Sequence, residues 1–523
     1  MRIRQKREAE YKQMAFETAV RNPERYRKML LRLSKFEGTM LNDANLLEII
    51  AHLYVVGEVS SSHIRITNSI TAEEIKESVI EVNSTRNADG GFPKGYASRF
   101  WTYMRTLSEL GFVYAQYRKP FKLSRMAKIL IKGEVDEQEA FSVQAMKYNR
   151  KSPYRNVSND FNFFRFALNV LLSLREEGKS LSYEQFVPLL FSKNGNVAEF
   201  LTLLSKNKFN NPSQAYRFVK KEYGVTNKIA TVTDDYPDVV RRLMLISGFI
   251  SIRYAGKKLI QINESKLDYI KELLNIDFAL TDEEKADPKR YFEKLDKGDA
   301  LFWGIVEKYR KYDKIDGAEY TNKISAIISS YRITEKIICE SLDSIGSTKS
   351  PIAEFGEIPD PLKLEFYISI LIAIKYGDEF YIRPNYKADH VGKPYAHAPG
   401  GRGDIDVYSS EVYWLIEVTL IRNRDQMLNT ETTSVIRHLH SSAEFKNRSK
   451  KYLSLVAPMV HPDIREFFEY SLVKHQREGG RIHIKAYSLK EFVAMTLRKE
   501  NFKDMEVHTR KILASFNSKS SKV

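Results

Sequence analysis

The chain contains 523 residues, of which 43% are hydrophobic and 29% charged, a balance typical of folded globular protein with about two to four domains. No apolar run is long enough to cross a bilayer, and the single cysteine, Cys339, excludes an internal disulfide and a cysteine-based zinc site. The net charge of +16 and the pI of about 9.3 favour a polyanionic partner such as a nucleic acid.

Residues 12–57 carry a helical pattern. Asn22-Pro23-Glu24 supplies an N-cap, a proline for the first turn and an early carboxylate. Apolar residues then recur at helical spacing in two runs, Tyr26, Met29, Leu30 and Leu33, and Leu46, Leu47, Ile50, Leu53 and Tyr54.

One arrangement then occurs twice. In the first copy an apolar helical stripe ends at Gly111, and strands at 112–117 and 121–124 flank a basic tip. In the second copy a similar stripe ends at Gly248, and strands at 249–254 and 259–262 flank another basic tip. A helix, a glycine, a hairpin and a further helix form the pattern of a winged helix. We therefore predict two winged-helix-like DNA-recognition subdomains, residues 1–150 and 151–275. The alternative is two unrelated helix–hairpin units.

Basic side chains accompany both predicted subdomains. An arginine on a recognition helix can make a bidentate contact to guanine, whereas basic residues at a wing tip are suited to hold phosphates. The candidates for DNA binding are Arg99, Arg105, Arg118, Lys119, Arg241, Arg242, Lys257 and Lys258. For each of them the alternative is a solvated basic face.

The second half of the chain changes in character. Residues 276–350 carry helical patterns broken by polar turns, which predicts a helical linker. Strands then alternate with helices over residues 351–523. The predicted fold is multidomain α+β, with a mostly helical amino-terminal recognition region, the linker and a carboxy-terminal α/β domain with a mixed sheet.

A predicted hairpin at 404–420 carries the most informative carboxylates. Because strand side chains alternate, Asp404 and Asp406 share one face, as do Glu417 and Thr419. Glu417 follows an apolar run that is suited to burial, and a buried unpaired carboxylate is expensive. Clustered carboxylates repel each other unless a cation lies between them. Backbone space for a nucleic acid strand is supplied by three glycines: Gly400, Gly401 and Gly403.

Two flanking helices can complete the site, one carrying Glu365 and the next, predicted over residues 431–448, beginning at Glu431. Mg²⁺ prefers oxygen ligands and retains waters, one of which can attack phosphorus while the metal neutralises developing charge. The sequence therefore predicts Mg²⁺-dependent phosphodiester hydrolysis with Glu365, Asp404, Glu417 and Glu431 as catalytic residues. The first three are the predicted metal ligands. Asp406 is an additional candidate, with an ordinary hairpin charge as its alternative.

These residues resemble the PD-(D/E)xK nuclease superfamily. More narrowly, Gly403-Asp404-Ile405 followed by Leu415-Ile-Glu417-Val-Thr419-Leu420 looks like the AlwI-type restriction endonucleases and related site-specific nicking endonucleases. Arg21-Asn-Pro-Glu-Arg-Tyr26 and Val456-Ala-Pro-Met-Val-His461-Pro462 also look like that family. The resemblance implies a type IIS enzyme of a restriction–modification system, with a PD-(D/E)xK cleavage domain that cuts double-stranded DNA at a fixed distance outside an asymmetric site.

One position departs from the superfamily, because Thr419 stands where the motif has lysine, and threonine cannot supply a positive charge. His438 and His440, which follow Glu431, are candidates for the missing group.

Two modes of cleavage fit the sequence. They are double-strand cutting, through a transient homodimer or a second nuclease subunit, and strand-specific nicking by a monomer. The alternatives are a winged-helix DNA-binding regulator with an inactive nuclease domain and a structure-specific repair nuclease. The basic start of the chain, residues 1–7, precedes a polar segment, so we expect no signal peptide, no membrane partner and a bacterial cytoplasmic location.

Overall fold

The computed structural model of the protein describes residues 11–59, 71, 73–78, 80, 96–312, 317–347, 350–398, 402–422, 424, 427–428, 432–446, 448–477 and 481–520. The chain divides into two compact units, Met1–Lys311 and Tyr312–Val523. Their boundary falls inside the segment predicted as a linker, and the finer domain boundaries stay predictions. Across the part of the chain that the structure describes, no helix is both long and apolar enough to span a membrane.

Unit 1 is mostly helical. The predicted stripes are confirmed, since Tyr26, Met29, Leu30 and Leu33 are all buried. Its helices are α1 (Arg25–Leu33), α2 (Asp43–Val55), α3 (Tyr96–Glu109), α4 (Arg125–Lys132), α5 (Glu137–Lys147), α6 (Phe163–Glu176), α7 (Tyr183–Leu189), α8 (Val197–Lys206), α9 (Pro212–Tyr223), α10 (Tyr236–Ile246), α11 (Leu267–Asn275), α12 (Asp282–Ala286) and α13 (Pro288–Tyr312), the last of which ends at the first residue of unit 2.

Short antiparallel strands interrupt these helices. β1 (Val113–Tyr114) pairs with β2 (Lys122–Leu123), between α3 and α4. β4 (Ile250–Tyr254) pairs with β5 (Lys258–Ile262), between α10 and α11, and β3 (Leu181–Ser182) adds a third strand beside β5. The order of helix, hairpin and helix therefore occurs twice, as the sequence predicts.

The two hairpins share a helix-ending device. Gly111 and Gly248 adopt φ values of 76° and 71°, in the left-handed region that favours glycine. After each glycine an aromatic N–H returns to the preceding helix, from Phe112 to Leu107 at 2.8 Å and from Phe249 to Met244 at 3.0 Å. The same cap thus directs the chain from each helix into its hairpin.

Unit 2 is a mixed sheet with helices on both faces. Its strands are β6 (Tyr381–Pro384), β7 (Lys387–Ala388), β8 (Pro394–Ala396), β9 (Ile405–Tyr408), β10 (Val412–Val418), β11 (Lys450–Ala457) and β12 (Ile482–Ser488). Its helices are α14 (Gly317–Ser330), α15 (Glu335–Asp343), α16 (Asp360–Tyr376), α17 (Thr432–Ser441), α18 (Ala443–Lys446), α19 (Pro462–Arg477), α20 (Leu489–Leu497) and α21 (Asn501–Ser520).

The main sheet has the order β12-β11-β10-β9-β6. β10, β11 and β12 are parallel, whereas β9 is antiparallel to both of its neighbours. Alternate residues of β10 enter different cores, because Trp414 and Ile416 pack with α16 while Tyr413 and Leu415 pack with α17 and α19. β10 is therefore buried on both faces, which accounts for its continuous apolar run.

One expected helix is interrupted. The sequence predicts a single helix over 431–448, but the structure has α17 and the short α18 with Ser442 between them. Serine has a lower intrinsic helix propensity than alanine or leucine, so Ser442 is a weak point for a helix.

A histidine beside the sheet predicts a pH effect on stability. On α21, burial together with the positive charge of Lys485 lowers the pKa of His508 from 6.5 to about 4. The unfolded chain binds this proton near pH 6.5 and the folded chain only near pH 4, so stability present above pH 6.5 is lost as the pH falls towards 4. Urea unfolding across this window should show a smaller pH slope for His508→Asn. Equal slopes in the two proteins would contradict this assignment.

Candidate active site

Glu417 lies near the carboxyl end of the central strand β10. Its side chain is only 4% exposed. The Nδ1 atom of His438, on α17, lies 2.9 Å from its Oε1 atom. Because an ionised carboxylate only accepts hydrogen bonds, His438 is the donor. The strand therefore carries a buried carboxylate to its end, and the neighbouring helix holds it there.

Gly403 makes room for this carboxylate. A Cβ atom at this position would lie 2.7 Å from Glu417 Oε1 and closer still to Leu415 Cδ1. Any other residue would displace one of those two buried side chains. Glycine is therefore required at position 403 because its backbone lies against Glu417. From the sequence alone, this glycine is predicted to make space for a nucleic acid strand.

Asp404 approaches Glu417 from the adjacent strand. The register pairs Ile416 with Ile405, so Asp404 lies opposite Glu417 one step beyond the paired residues. The Oδ2 atom of Asp404 accepts a hydrogen bond of 2.8 Å from the backbone N–H of Val418. Asp404 is partly exposed, unlike Glu417. The hairpin therefore places two of the three predicted metal ligands, Asp404 and Glu417, at one end of the sheet.

Asp406 is a structural residue, so its candidacy as a ligand receives no support. It is 4% exposed, and it accepts hydrogen bonds from Arg383 at 2.8 Å, Asn385 at 3.0 Å and Tyr413 at 2.7 Å. Burial lowers the pKa of Arg383, but the negative charge of the Asp406 carboxylate outweighs this effect, and the pKa of Arg383 is raised. Burial and the same carboxylate raise the pKa of Tyr413. Asp406 joins β6, β9 and β10.

Asp406→Asn tests this structural role. The amide nitrogen cannot accept the hydrogen bonds of Arg383 or Tyr413, so a buried donor loses its partner. We expect the free energy of unfolding to fall by about 1–3 kcal/mol in urea titrations. The exposed Asp378→Asn in the same unit is the control and should leave stability unchanged. A variant at 406 as stable as that control would contradict the assignment.

Glu365 is held by a histidine that the sequence reading missed. This carboxylate lies on the buried helix α16 and is 4% exposed. The Nδ1 atom of His397 lies 2.5 Å from Glu365 Oε1. The other oxygen, Oε2, is buried and has no hydrogen-bond partner among the described residues. His397 stands seven residues before Asp404, and that proximity to the motif was its only signal in the sequence.

The remaining candidates near the hairpin are Thr419, His440 and Glu431. Thr419 accepts a hydrogen bond from Ile421 N–H at 3.2 Å and closes the end of β10. His440 is exposed and packs against the rings of Phe445 and His475, each 5.0 Å away, so it does not share the position of His438. Glu431 lies outside the described residues.

A divalent cation suits this site chemically. Asp404, Glu417 and Glu365 supply carboxylate oxygens, and the unpartnered buried Oε2 of Glu365 is the kind of atom that a cation satisfies. Among the described residues, however, no group of three or more His, Cys, Asp or Glu side chains is arranged to hold a metal ion. The described acids are therefore not assembled into a complete ligand set.

The basic candidates in unit 1 fall into two groups. At the first hairpin Arg118 and Lys119 are exposed, and Arg118 lies 5.4 Å from the ring of Tyr117. At the second hairpin Lys257 is exposed, and Lys258 lies 5.4 Å from the ring of Tyr183. These four side chains lie at or beside the tips, as the sequence predicts.

The helical candidates are tied to acidic groups. Arg105 is ion-paired with Glu17, and both Arg241 and Arg242 are ion-paired with Asp238. Arg241 is also only 3% exposed, which makes it a packing residue in this conformation. The side chain of Arg99 lies outside the described part of the structure, although its backbone belongs to α3. For all eight residues DNA binding stays a prediction.

Three solved structures are similar to parts of the chain. The small subunit of the heterodimeric restriction endonuclease R.BspD6I is 19% identical, covering 34% of this chain and 88% of its own, with a TM-score of 0.26. The BpuJ1 endonuclease binding domain, in complex with modified DNA, is 14% identical, covering 42% and 85%, with a TM-score of 0.27. Restriction endonuclease FokI is 12% identical, covering 91% and 96%, with a TM-score of 0.22.

No curated protein matches the chain. A family model does, and it is described as AlwI restriction endonuclease. It matches residues 108–327 and 306–495, which together make up well over half of the chain. The second match includes the hairpin with Asp404 and Glu417. The chain therefore belongs to the AlwI restriction endonuclease family.

Proposed function

We propose that the protein is a Mg²⁺-dependent type IIS restriction endonuclease that cuts DNA at a fixed distance from an asymmetric recognition sequence. Membership of the family makes it a restriction endonuclease, hence a DNA hydrolase. The observation that carries the finer proposal is the buried Glu417 carboxylate, held by His438 beside Asp404 at the end of β10. Burying a carboxylate costs free energy, and the position of Glu417 beside Asp404 at the strand end supports a role in holding a cation.

The roles of the residues follow from their positions. Asp404, Glu417 and Glu365 would hold the cation, with Glu431 as an added acid. Such a cation, when bound, polarises the phosphoryl oxygen and lowers the pKa of a coordinated water. His438 orients the Glu417 carboxylate through Nδ1 and is our candidate for the group that stands in for the missing lysine. Thr419 is occupied with the backbone at the strand end.

We assign recognition to the two hairpin modules of unit 1, as winged-helix-like elements. The first tip supports this because it is stiff as well as basic. Arg118 adopts a positive φ of 58°, unusual for a residue with a side chain. Its N–H donates to Leu41 O at 2.8 Å, and Leu41 N–H donates to Lys119 O at 3.0 Å. A strained backbone that is hydrogen-bonded on both sides holds the base of the Arg118 and Lys119 side chains in one conformation.

The mode of cutting is tested with supercoiled plasmid. The described residues of each chain contain one such hairpin site, so one chain would cut one strand at a time, and double-strand cutting would require a second chain or subunit. Incubation with Mg²⁺ should convert the plasmid to linear DNA through a nicked intermediate, and EDTA should prevent both products. Nicked circles as the final product would identify a strand-specific nicking endonuclease instead. If a plasmid that carries many random sequences remains uncut after incubation with Mg²⁺, the proposed function is contradicted.

A further inference from the structure

We propose that His397 is a positioning residue of the active site, which fixes the Glu365 carboxylate so that its second oxygen is directed to the divalent cation. The inference rests on the proposed function, because it concerns how one acid of that site is oriented. His397 is not among the site residues predicted from the sequence.

The first argument is the asymmetry of the Glu365 carboxylate. Oε1 lies 2.5 Å from His397 Nδ1, whereas Oε2 is buried and has no partner among the described residues. A carboxylate can accept about four hydrogen bonds, and leaving a buried anionic oxygen unsatisfied is costly. One oxygen is therefore fixed by the protein, and the other remains able to bind a positively charged ligand.

The second argument is the stiffness of the segment that carries His397. This residue directly follows β8, the second strand of a small hairpin with β7. The buried Asp389 closes the connecting loop by accepting from the N–H groups of Val391 at 3.1 Å and Lys393 at 2.9 Å.

The loop is also packed closely against α14. A Cβ atom on Gly392 would lie 3.0 Å from Ile327 Cδ1 and 3.2 Å from Lys323 Cβ. This close approach fixes the hairpin against a helix of the same unit. The backbone that leads to His397 is therefore anchored close to the histidine, and the Nδ1 atom of His397 lies against Glu365 Oε1.

The third argument is that the same arrangement recurs at the other buried acid. Glu417 Oε1 lies 2.9 Å from His438 Nδ1, so Glu365 and Glu417, the two buried acids among the predicted metal ligands, each have one oxygen bound by a histidine Nδ1. Groups that hydrogen-bond to metal-ligating carboxylates orient them and typically change metal affinity by about 10–100-fold when they are removed. His397 fits that role for Glu365 as His438 does for Glu417.

The test compares His397→Leu and His397→Asn in the full chain. Leucine removes the donor, whereas the asparagine amide keeps an N–H group close to the position of Nδ1. With Mn²⁺ alone as the probe in titration calorimetry, we expect leucine to weaken binding about 10–100-fold and asparagine to recover most of it. Glu365→Gln should weaken binding at least as much as leucine. Thermal unfolding of each variant measures any purely structural effect.

The outcomes separate this inference from the proposed function. Wild-type affinity for Mn²⁺ in a folded His397→Leu protein would overturn the role of His397, while metal-dependent cleavage by the same protein would leave the proposed function intact. Equal losses in both His397 variants, in proportion to lost stability, would also overturn positioning. If wild-type protein neither binds Mn²⁺ nor cleaves DNA, both proposals fail.

Discussion

Replacing Glu417 with glutamine should lower the rate of DNA cleavage about 1,000-fold while leaving DNA binding unchanged. Glutamine keeps the shape of the side chain and an oxygen that can accept from His438, so the fold of β10 should be retained. What disappears is the negative charge that would hold the cation. Loss of its electrostatic stabilisation is worth about 4 kcal/mol, which corresponds to a factor of about 1,000 in rate.

A matched control exists on the same hairpin. Glu411 is exposed at the turn between β9 and β10, and its backbone oxygen accepts from the N–H groups of Ser449 and Lys450 and from the Ser449 hydroxyl. Glu411→Gln should cleave as the wild type does. Single-turnover cleavage of plasmid in Mg²⁺ and DNA binding in Ca²⁺ measure the two properties separately. If Glu417→Gln keeps cleavage close to that of Glu411→Gln, then Glu417 is not an active-site acid.

Gly403→Ala should reduce cleavage about 100-fold and should also lower the free energy of unfolding. The added Cβ atom would lie 2.7 Å from Glu417 Oε1, so the carboxylate must move to accommodate it. A displacement of about 1 Å in a catalytic group costs on the order of 100-fold in rate. Overpacking against Leu415 should cost about 1–3 kcal/mol of unfolding free energy.

Gly304→Ala is the matched control for this substitution. Gly304 lies within α13, and a Cβ atom there would meet nothing within 4 Å. Alanine should raise helix stability by up to about 1 kcal/mol and leave cleavage unchanged. Parallel measurements of cleavage rate and urea unfolding separate the two effects. Full activity in Gly403→Ala would show that Glu417 does not depend on the space beside residue 403.

The order of elements followed from local sequence signals. Period-two alternation and the apolar run at 412–416 indicated the hairpin, and the antiparallel register of β9 with β10 places Asp404 and Glu417 as expected. The glycine caps at Gly111 and Gly248 were equally local, since only a residue that tolerates positive φ ends a helix in this way. The sequence therefore predicted the repeated helix–hairpin order correctly.

Contacts between distant residues could not be predicted. Asp406 shares a face with Asp404, and nothing in the sequence indicates that Arg383, Asn385 and Tyr413 converge on it. His397 approaches Glu365 across 32 positions through a hairpin whose strands are only two and three residues long. The sequence does not show which side of α17 faces Glu417. Only the structure shows that His438, and not His440, lies beside this carboxylate.

The most direct test of the central claim is cleavage of a randomised DNA library in Mg²⁺, followed by sequencing of the ends. The account predicts ends at a constant distance from one asymmetric sequence, and it predicts that such ends disappear with EDTA and with Glu417→Gln. Ends that share no common sequence would contradict a sequence-specific endonuclease. Ends produced equally by Glu417→Gln would contradict the active site described at the end of β10.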